Sequence, residues 1–438
     1  MKIKTLPGDD STNGWSRLLP PRTPRPALEG DQRADWIVLG AGFAGLSAAR
    51  RLAELRPNES IALVEAQEVG EGASGRNSGF AIDLPHNVGG SLEELEGSRR
   101  FLRLARAGIA RLEEQVEHHD IACDWSRRGK VHCAVSEAGT KQVLEPFAQE
   151  LEALGEPYQW LDRAALKDKL GTEYYSAGVD TPGCVLLNPA ALCRGLADSL
   201  PEGVTLYEQS PVTELAQDNG IRLTTPRGSL FAPKMILAVN AFAEQFGFYR
   251  GRLLVFAAHA SLSRRLTAEE RAALGGEDDW GLTPANAFAG VTMRFTRDHR
   301  ILMRQNIHYC PSFRQSDARR AVVRQDHKQL FDGRFPMLPE VEMEHTWTGY
   351  IVLSQNHAPG FGRVSSNVWA AVCQNAVGVA KGTTSGMLAA DMACGEDNPL
   401  IADMTSLGAP SRLPLRPFLD LGVRARMAWD LWRARDER

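Results

Sequence analysis

The 438-residue chain lacks several features that would each have fixed its class at once. No run of about 18 or more apolar residues occurs, so no segment reads as a membrane-crossing helix. The opening stretch MKIKTLPGDDSTNGWSRLLPPRTPRPALEGD has no continuous apolar segment of the kind a secretory signal needs, and a cytoplasmic protein is expected. There is no C-x-x-C pair and no histidine cluster at metal spacing. The seven cysteines, Cys123, Cys133, Cys184, Cys193, Cys310, Cys373 and Cys394, are scattered, which argues against a zinc site or a disulfide framework and for buried, reduced thiols. A strong charge of one sign is absent too: the net charge is −4 and the 50 Lys and Arg are spread along the chain, so nucleic acid is not expected as a partner.

What remains is a globular chain with 43% hydrophobic residues, long enough for two or three domains or two interleaved ones. Its first 33 residues, rich in proline, glycine and charge, read as an irregular arm running over the surface.

From Asp35 the pattern changes. Trp36 to Leu39 reads as a buried parallel strand, followed by G-x-G-x-x-G at Gly40, Gly42 and Gly45 and a helical pattern to about Leu55. A second short strand, Ile61 to Val64, ends in Glu65. In such a unit the first glycine permits a tight turn, the second lets the backbone approach a pyrophosphate, and the third lets helix and strand pack closely. The helix start offers free N–H groups to phosphates, and the acid at the end of the second strand binds ribose hydroxyls. This fingerprint does not separate NAD from FAD. The next stretch, GEGASGRNSGF (70–80), does, because a second glycine-rich segment so soon after the ribose acid can wrap the far side of the pyrophosphate, with Ser74, Arg76, Asn77 and Ser78 as donors.

With these residues the chain resembles the D-amino acid oxidase superfamily of flavoproteins, nearest to its glycine oxidase, sarcosine oxidase, gamma-glutamylputrescine oxidase and pipecolate oxidase branch. Three later segments extend the likeness over most of 34–400. VTLYEQSPVTELAQDNGIRLTTPRGSLFAPKMILAVNAFA resembles the adenine-side strand, hairpin and return strand. HTWTGYIVLSQNHAPGFGRV resembles the W-x-G and T-x-D-x-x-P-x-x-G segment, with Ser354 and Asn356 in place of threonine and aspartate. AVCQNAVGVAKGTTSGMLAAD resembles the closing strand, a glycine turn at Gly378 and Gly382, and the helix near the flavin ring.

The resemblance implies an α/β fold, α+β overall, in which a Rossmann-like FAD-binding domain (34–115, 181–245 and 346–412) is interleaved with an antiparallel-sheet substrate domain (116–180 and 246–345). It places cofactor contacts at Gly40, Gly42, Phe43, Ala44, Gly45, Glu65, Ala66, Gly72, Ala73, Ser74, Arg76, Asn77, Ser78, Gly79, Val212, Asn240, Gly378, Val379, Lys381 and Gly382. The W-x-G region reads Thr346, Trp347, Thr348 without a cysteine, which implies non-covalent FAD. The reaction implied is hydride removal from a carbon bearing an amine, giving an imine that water hydrolyses. The substrate implied is a small cyclic or secondary amino acid such as L-pipecolate, with a gamma-glutamyl polyamine as the alternative. An accessory FAD subunit of an electron-transfer complex is the reading from another class.

Lys381 matches a lysine that binds substrate carboxylate in these relatives. The roof hairpin VTMRFTRDHRILMRQNIHY lacks the branch's oxygen-activating lysine, which leaves oxygen, a quinone or another carrier open as electron acceptor. Along it Arg304, His308 and Tyr309 are candidates to line the substrate pocket, as are Asp83 and His86 further upstream, while Trp347 reads as core. The tail 413–438, with LGVRARMAWDLWRARDER, reads as an amphipathic basic helix that either packs on its own domain, which its acids favour, or touches a membrane surface.

Overall fold

The computed structural model describes residues 1–85 and 92–438, the side chains of 92–94 excepted. A six-stranded sheet lies at its centre, in the spatial order Gly360–Ser365, Val368–Val372, Lys234–Leu237, Trp36–Leu39, Ile61–Val64 and Val204–Tyr207. All neighbours run parallel except the first pair. Strands of this kind are covered on both faces, and WIVL and IALV are buried at every position. The period-two alternation of a strand then divides each one between two cores. Trp36, Val38, Ile61 and Leu63 join the helix Phe43–Leu55 and the helix Ala380–Cys394 on one face. Ile37, Leu39, Ala62 and Val64 join Leu215, Leu223 and Leu230 of a small four-stranded sheet on the other.

An eight-stranded sheet stands beside this layer, in the order Met343–Leu353, Leu254–Ser263, Ile301–Tyr309, Thr292–Phe295, Gly281–Pro284, Lys130–Ala134, Ala177–Thr181 and Gln159–Asp162. Its pairings are antiparallel apart from Gly281–Pro284 with Lys130–Ala134, which is parallel. The hairpin read from VTMRF and RILMRQ forms as two of its strands, with Thr292 opposite Arg304. The helix Leu92–His118 packs on the helix Ala380–Cys394 closely enough that a methyl group at Gly108 would press on the Ala380 carbonyl.

The N-terminal arm corrects the reading of a surface segment. Asn13, Gly14 and Trp15 are buried, and Trp15 packs edge-on against Trp347 with ring centres 6.4 Å apart. No local signal announces this, because the partners of Trp15 lie far away in sequence. All seven cysteines are free, and six are buried.

Candidate active site

A cavity of about 1710 Å³ lies between the central sheet and the roof formed by the eight-stranded one. That exceeds the ~300–1000 Å³ of an ordinary small-molecule pocket and suits a large cofactor with a substrate beside it. The first glycine segment builds its floor. Gly40 turns the chain at φ +99°, and a side chain there would also meet the Ala238 carbonyl at 2.8 Å. The helix Phe43–Leu55 starts after Gly42, which has no side chain to cap it; Ser74 Oγ takes the Phe43 N–H, and the helix start meets the cavity at Ala44. Gly45 does not line the cavity; it is the packing glycine, with the Gly40 carbonyl where a methyl group would be.

Glu65 stands at the end of the second strand in the cavity wall, accepting hydrogen bonds from Ala41 N at 2.8 Å and Gln67 N at 3.0 Å. Burial pushes its carboxyl above the ordinary range, against backbone donors at Ala41, Gln67 and Ala66 that pull it down.

The second glycine stretch is no slack linker. Asn13 donates to the Gly70 and Gly75 carbonyls, and the Trp15 indole donates to the Asn77 carbonyl at 2.8 Å. Gly72, Ala73, Ser74, Arg76, Asn77 and Ser78 line the cavity, but two of the expected donors are spent within the protein. The Arg76 guanidinium is engaged by Asp10 at 2.8 Å, Asp9 at 3.2 Å and Glu71. Asn77 donates to the Ser74 carbonyl and accepts from Gly79 N. Ser74 accepts from Phe43 N at 3.1 Å and so ties the two glycine segments together. Gly79 sits under Arg294 and the Leu187 carbonyl, outside the cavity lining.

The third wall is the start of the helix Ala380–Cys394, again without a side-chain cap. Gly378, Val379, Lys381 and Gly382 line the cavity there; Gly382 belongs to the first helical turn rather than to the preceding loop. Val212 and Asn240 also line the cavity, and Asn240 accepts from Cys373 N at 3.1 Å.

Lys381 is 3% exposed, and no carboxylate pairs with it among the described residues. Its ammonium lies 5.5 Å from the centre of the Phe101 ring, and burial pulls its pKa down to about 8. Arg304 also lines the cavity. It donates to the Ala287 carbonyl at 3.0 Å and to Thr292 Oγ1, has no carboxylate partner among the described residues, and is pulled down to about 10 by burial.

His308 and Tyr309 do not join them. His308 stacks on His259 and meets Gln315 at 3.0 Å, while the Tyr309 hydroxyl donates to Asp420 at 2.8 Å; neither lines the cavity. For His308 the cause is a bulge in this strand. Its pairing with Leu254–Ser263 slips between Ala257 and His259, and Asn306 opposite takes φ +60°, so Ile307 rather than His308 faces the cavity. Asp83 is buried against Arg106 away from the cavity lining, and His86 lies outside the described residues. Trp347 is core, as expected, its indole donating to the Arg76 carbonyl. Asn356 spends its amide on the Ala409 carbonyl and Ser411 N, fastening the segment that leads to the C-terminal helix.

Sequence reading missed Gln374 and Phe101. Gln374 lines the cavity with its buried amide oxygen unpartnered. Its place four residues before Gly378 was the available signal; Phe101 gave none, being one apolar position among many on a long helix.

Three features test the fit of a flavin dinucleotide: two helix starts, a ribose-type acid, and an unpartnered amide on one cavity. A methyl group at Gly72 would meet no atom within 4 Å, and at Gly378 and Gly382 only the Gln374 side chain, at 3.9 and 3.6 Å. The residues fit. The family model described as FAD dependent oxidoreductase matches residues 35–392. The chain belongs to that family. It is 27% identical over 419 residues to a protein named probable oxidoreductase OrdL from Haemophilus influenzae, covering 91% of each. It is 26% identical to gamma-glutamylputrescine oxidoreductase from Escherichia coli, over 88% of this chain and 87% of that one. Among solved structures, glycine oxidase from Geobacillus kaustophilus superposes with a TM-score of 0.71 at 19% identity, covering 88% of this chain and all of that one. This FAD-dependent oxidoreductase thus has the flavoenzyme fold, and its family chemistry is the oxidation of amines and amino acids.

Proposed function

We propose that this enzyme oxidises the C–N bond of a small cyclic or secondary amino acid, of which L-pipecolate is the type, with Lys381 anchoring the carboxylate. The observation that carries this reading is the burial of Lys381 in the cavity wall with no carboxylate partner among the described residues. A buried ammonium without an anion is costly, and a substrate carboxylate supplies the missing charge. Arg304, also without a carboxylate and set in the opposite roof strand, offers a planar fork for the same group or for a second anionic one.

In this reading Glu65 accepts from ribose hydroxyls, the start of the Phe43–Leu55 helix and residues 72–74 take the pyrophosphate, Val212 meets adenine, and the start of the Ala380–Cys394 helix lies against the ring system. No cysteine lines the cavity among the described residues, which supports non-covalent FAD. When bound, FAD supplies the acceptor for a hydride from the substrate carbon. The protein's part is to hold the carboxylate, to aim the C–H bond and to exclude water from the cavity. The amine enters unprotonated, so no strong protein base is required, and the imine leaves to be hydrolysed. The electron acceptor would be oxygen, a quinone or another carrier.

The second reading is a gamma-glutamylputrescine-type substrate. It is favoured by the cavity's extent, which reaches Thr5 to Asp10 of the N-terminal arm and leaves room for a longer body. The test is an anaerobic spectrum of the FAD-loaded enzyme with L-pipecolate, L-proline, sarcosine, D-alanine and gamma-glutamylputrescine added singly, following the flavin band near ~450 nm. Bleaching by one of the first three supports the main reading, bleaching by the last alone moves the second ahead, and no bleaching by any removes both.

A further inference from the structure

The Phe418–Arg433 helix carries its apolar residues on the side that faces away from the protein. Phe418, Leu421, Trp429 and Trp432 are 74%, 65%, 53% and 57% exposed. Spaced by three, eight and three residues, they form one stripe on the helix, with the rings of Trp429 and Trp432 5.2 Å apart. The opposite side meets the body: Asp420 accepts from Tyr309, and Val423, Met427 and Asp430 are half-buried. Not one residue of the helix is fully buried.

Both ends of the segment are fastened, so the outward direction of the stripe is set by the body of the protein. Before the helix, Arg252 donates to the Pro410 carbonyl and Leu413 N to the Gly251 carbonyl at 2.8 Å. After it, the buried Glu437 carboxylate accepts from Val135 N and Ser136 N, each at 3.0 Å, and Tyr174 donates to the Arg438 carbonyl. A helix of 16 residues gains little stability in water by itself, and the packing of its apolar face normally supplies the rest. Here that face has no cover.

Charge identifies the cover. Between Arg412 and Arg438 the chain places seven arginines and four acids, against a net charge of −4 for the whole. All four acids have partners, Asp420 in Tyr309 and Arg416, Asp430 in Arg426, Asp436 in Arg435 and Glu437 in the Ser136 turn, and Arg438 reaches Asp326, which leaves Arg412, Arg424 and Arg433 without an ion pair among the described residues. Arg424 and Arg433 stay exposed on either side of the stripe. We propose that this helix docks the enzyme on the surface of an anionic lipid bilayer. Tryptophan and phenylalanine enter the boundary between headgroups and acyl chains, and the arginines meet lipid phosphates and acidic headgroups. A second copy of the chain is a poorer cover, since it would set the same arginines against each other. No helix among the described residues is long and apolar enough to cross the bilayer, so the contact is peripheral.

The experiment is sedimentation of the full-length, FAD-loaded enzyme with vesicles of equal parts phosphatidylglycerol and phosphatidylcholine, and with pure phosphatidylcholine. The enzyme should pellet with the mixed vesicles, bind pure phosphatidylcholine at least roughly tenfold more weakly, and be released by salt. Phe418→Ser with Trp429→Ser and Trp432→Ser, and separately Arg424→Glu with Arg433→Glu, should each weaken binding at least roughly tenfold. These side chains are solvent-exposed and outside the cavity lining, so flavin content should not change. Failure to pellet, or equal binding by the variants, overturns the proposal. So does a dimer in solution that the tryptophan variant dissociates while vesicles leave it intact.

Discussion

Gly386 presses on the carbonyl oxygen of Ala44 so closely that a methyl group at 386 would stand 1.9 Å from it. This contact joins the two helices whose N-terminal ends meet the cavity, and it fixes how far apart those ends lie. Because the obstruction is backbone rather than a flexible side chain, Gly386→Ala must move one helix against the other. Overpacking of this kind costs about 1–3 kcal/mol, occasionally more. We expect a lower Tm and purified protein with substoichiometric FAD, read from the ratio of flavin to protein absorbance. Full FAD content and an unchanged Tm would show that the helix pair can part without consequence.

Trp15 tests the N-terminal arm. It is buried, donates to the Asn77 carbonyl and packs on Trp347. Trp15→Ala should cost about 3–5 kcal/mol and speed FAD release, because it removes the brace behind residues 70–79. Trp160→Ala, at an exposed position, should change stability by no more than about 0.5 kcal/mol. Thermal unfolding of the two variants, with flavin fluorescence followed in parallel, makes the comparison.

Much of the FAD half was legible in the sequence because its signals are local. Trp36–Leu39, Phe43–Leu55 and Ile61–Val64 fall where hydrophobic pattern and glycine spacing placed them. The site's far wall was less so. His308 was misplaced because a bulge at Asn306 resets the alternation from Arg304, and Tyr309 because Asp420, 111 residues away, claims its hydroxyl. The roles of Arg76 and Asn77 were misread for another reason: Asp9 and Asp10, 67 and 66 residues away, claim the arginine, and the turn itself claims the asparagine. Long-range partners of this kind leave no mark on local composition.

Glu65→Gln should weaken FAD binding while leaving the fold intact. The glutamate oxygens take two backbone N–H groups, and an amide can present a donor to one of them instead. Leaving one such group unsatisfied weakens the free and the FAD-bound protein alike; the FAD Kd rises because ribose loses a charged acceptor, worth about 1.5–3 kcal/mol or roughly ten- to 150-fold. Quenching of FAD fluorescence by the apoprotein measures it.

The pH dependence follows from Lys381, whose pKa burial lowers to about 8. Below about 8, kcat/KM should rise with pH as more of the substrate amine loses its proton; above about 8 the free enzyme's Lys381 loses the charge that binds carboxylate, which cancels that rise, so the profile levels off near 8 and falls only above the amine's own pKa. For stability the sign is opposite. The unfolded lysine keeps its proton to a pH near 10.5, so between about 8 and that value the unfolded state holds more protons and the native state gains stability with pH. Lys381→Met should remove the break near 8, so that kcat/KM keeps rising up to the amine's own pKa; a break near 8 that persists in this variant assigns it to another group.

The central claim is that Lys381 holds the substrate carboxylate. Its most direct test is the anaerobic rate of flavin reduction by the best amino-acid substrate and by the same amine without its carboxylate, in wild type and in Lys381→Met. Losing a charged hydrogen bond costs about 2–5 kcal/mol, so the wild type should prefer the amino acid by roughly 30-fold or more. The variant should lose most of that preference while still being reduced by the plain amine. An undiminished preference in Lys381→Met, with FAD bound normally, would contradict the account.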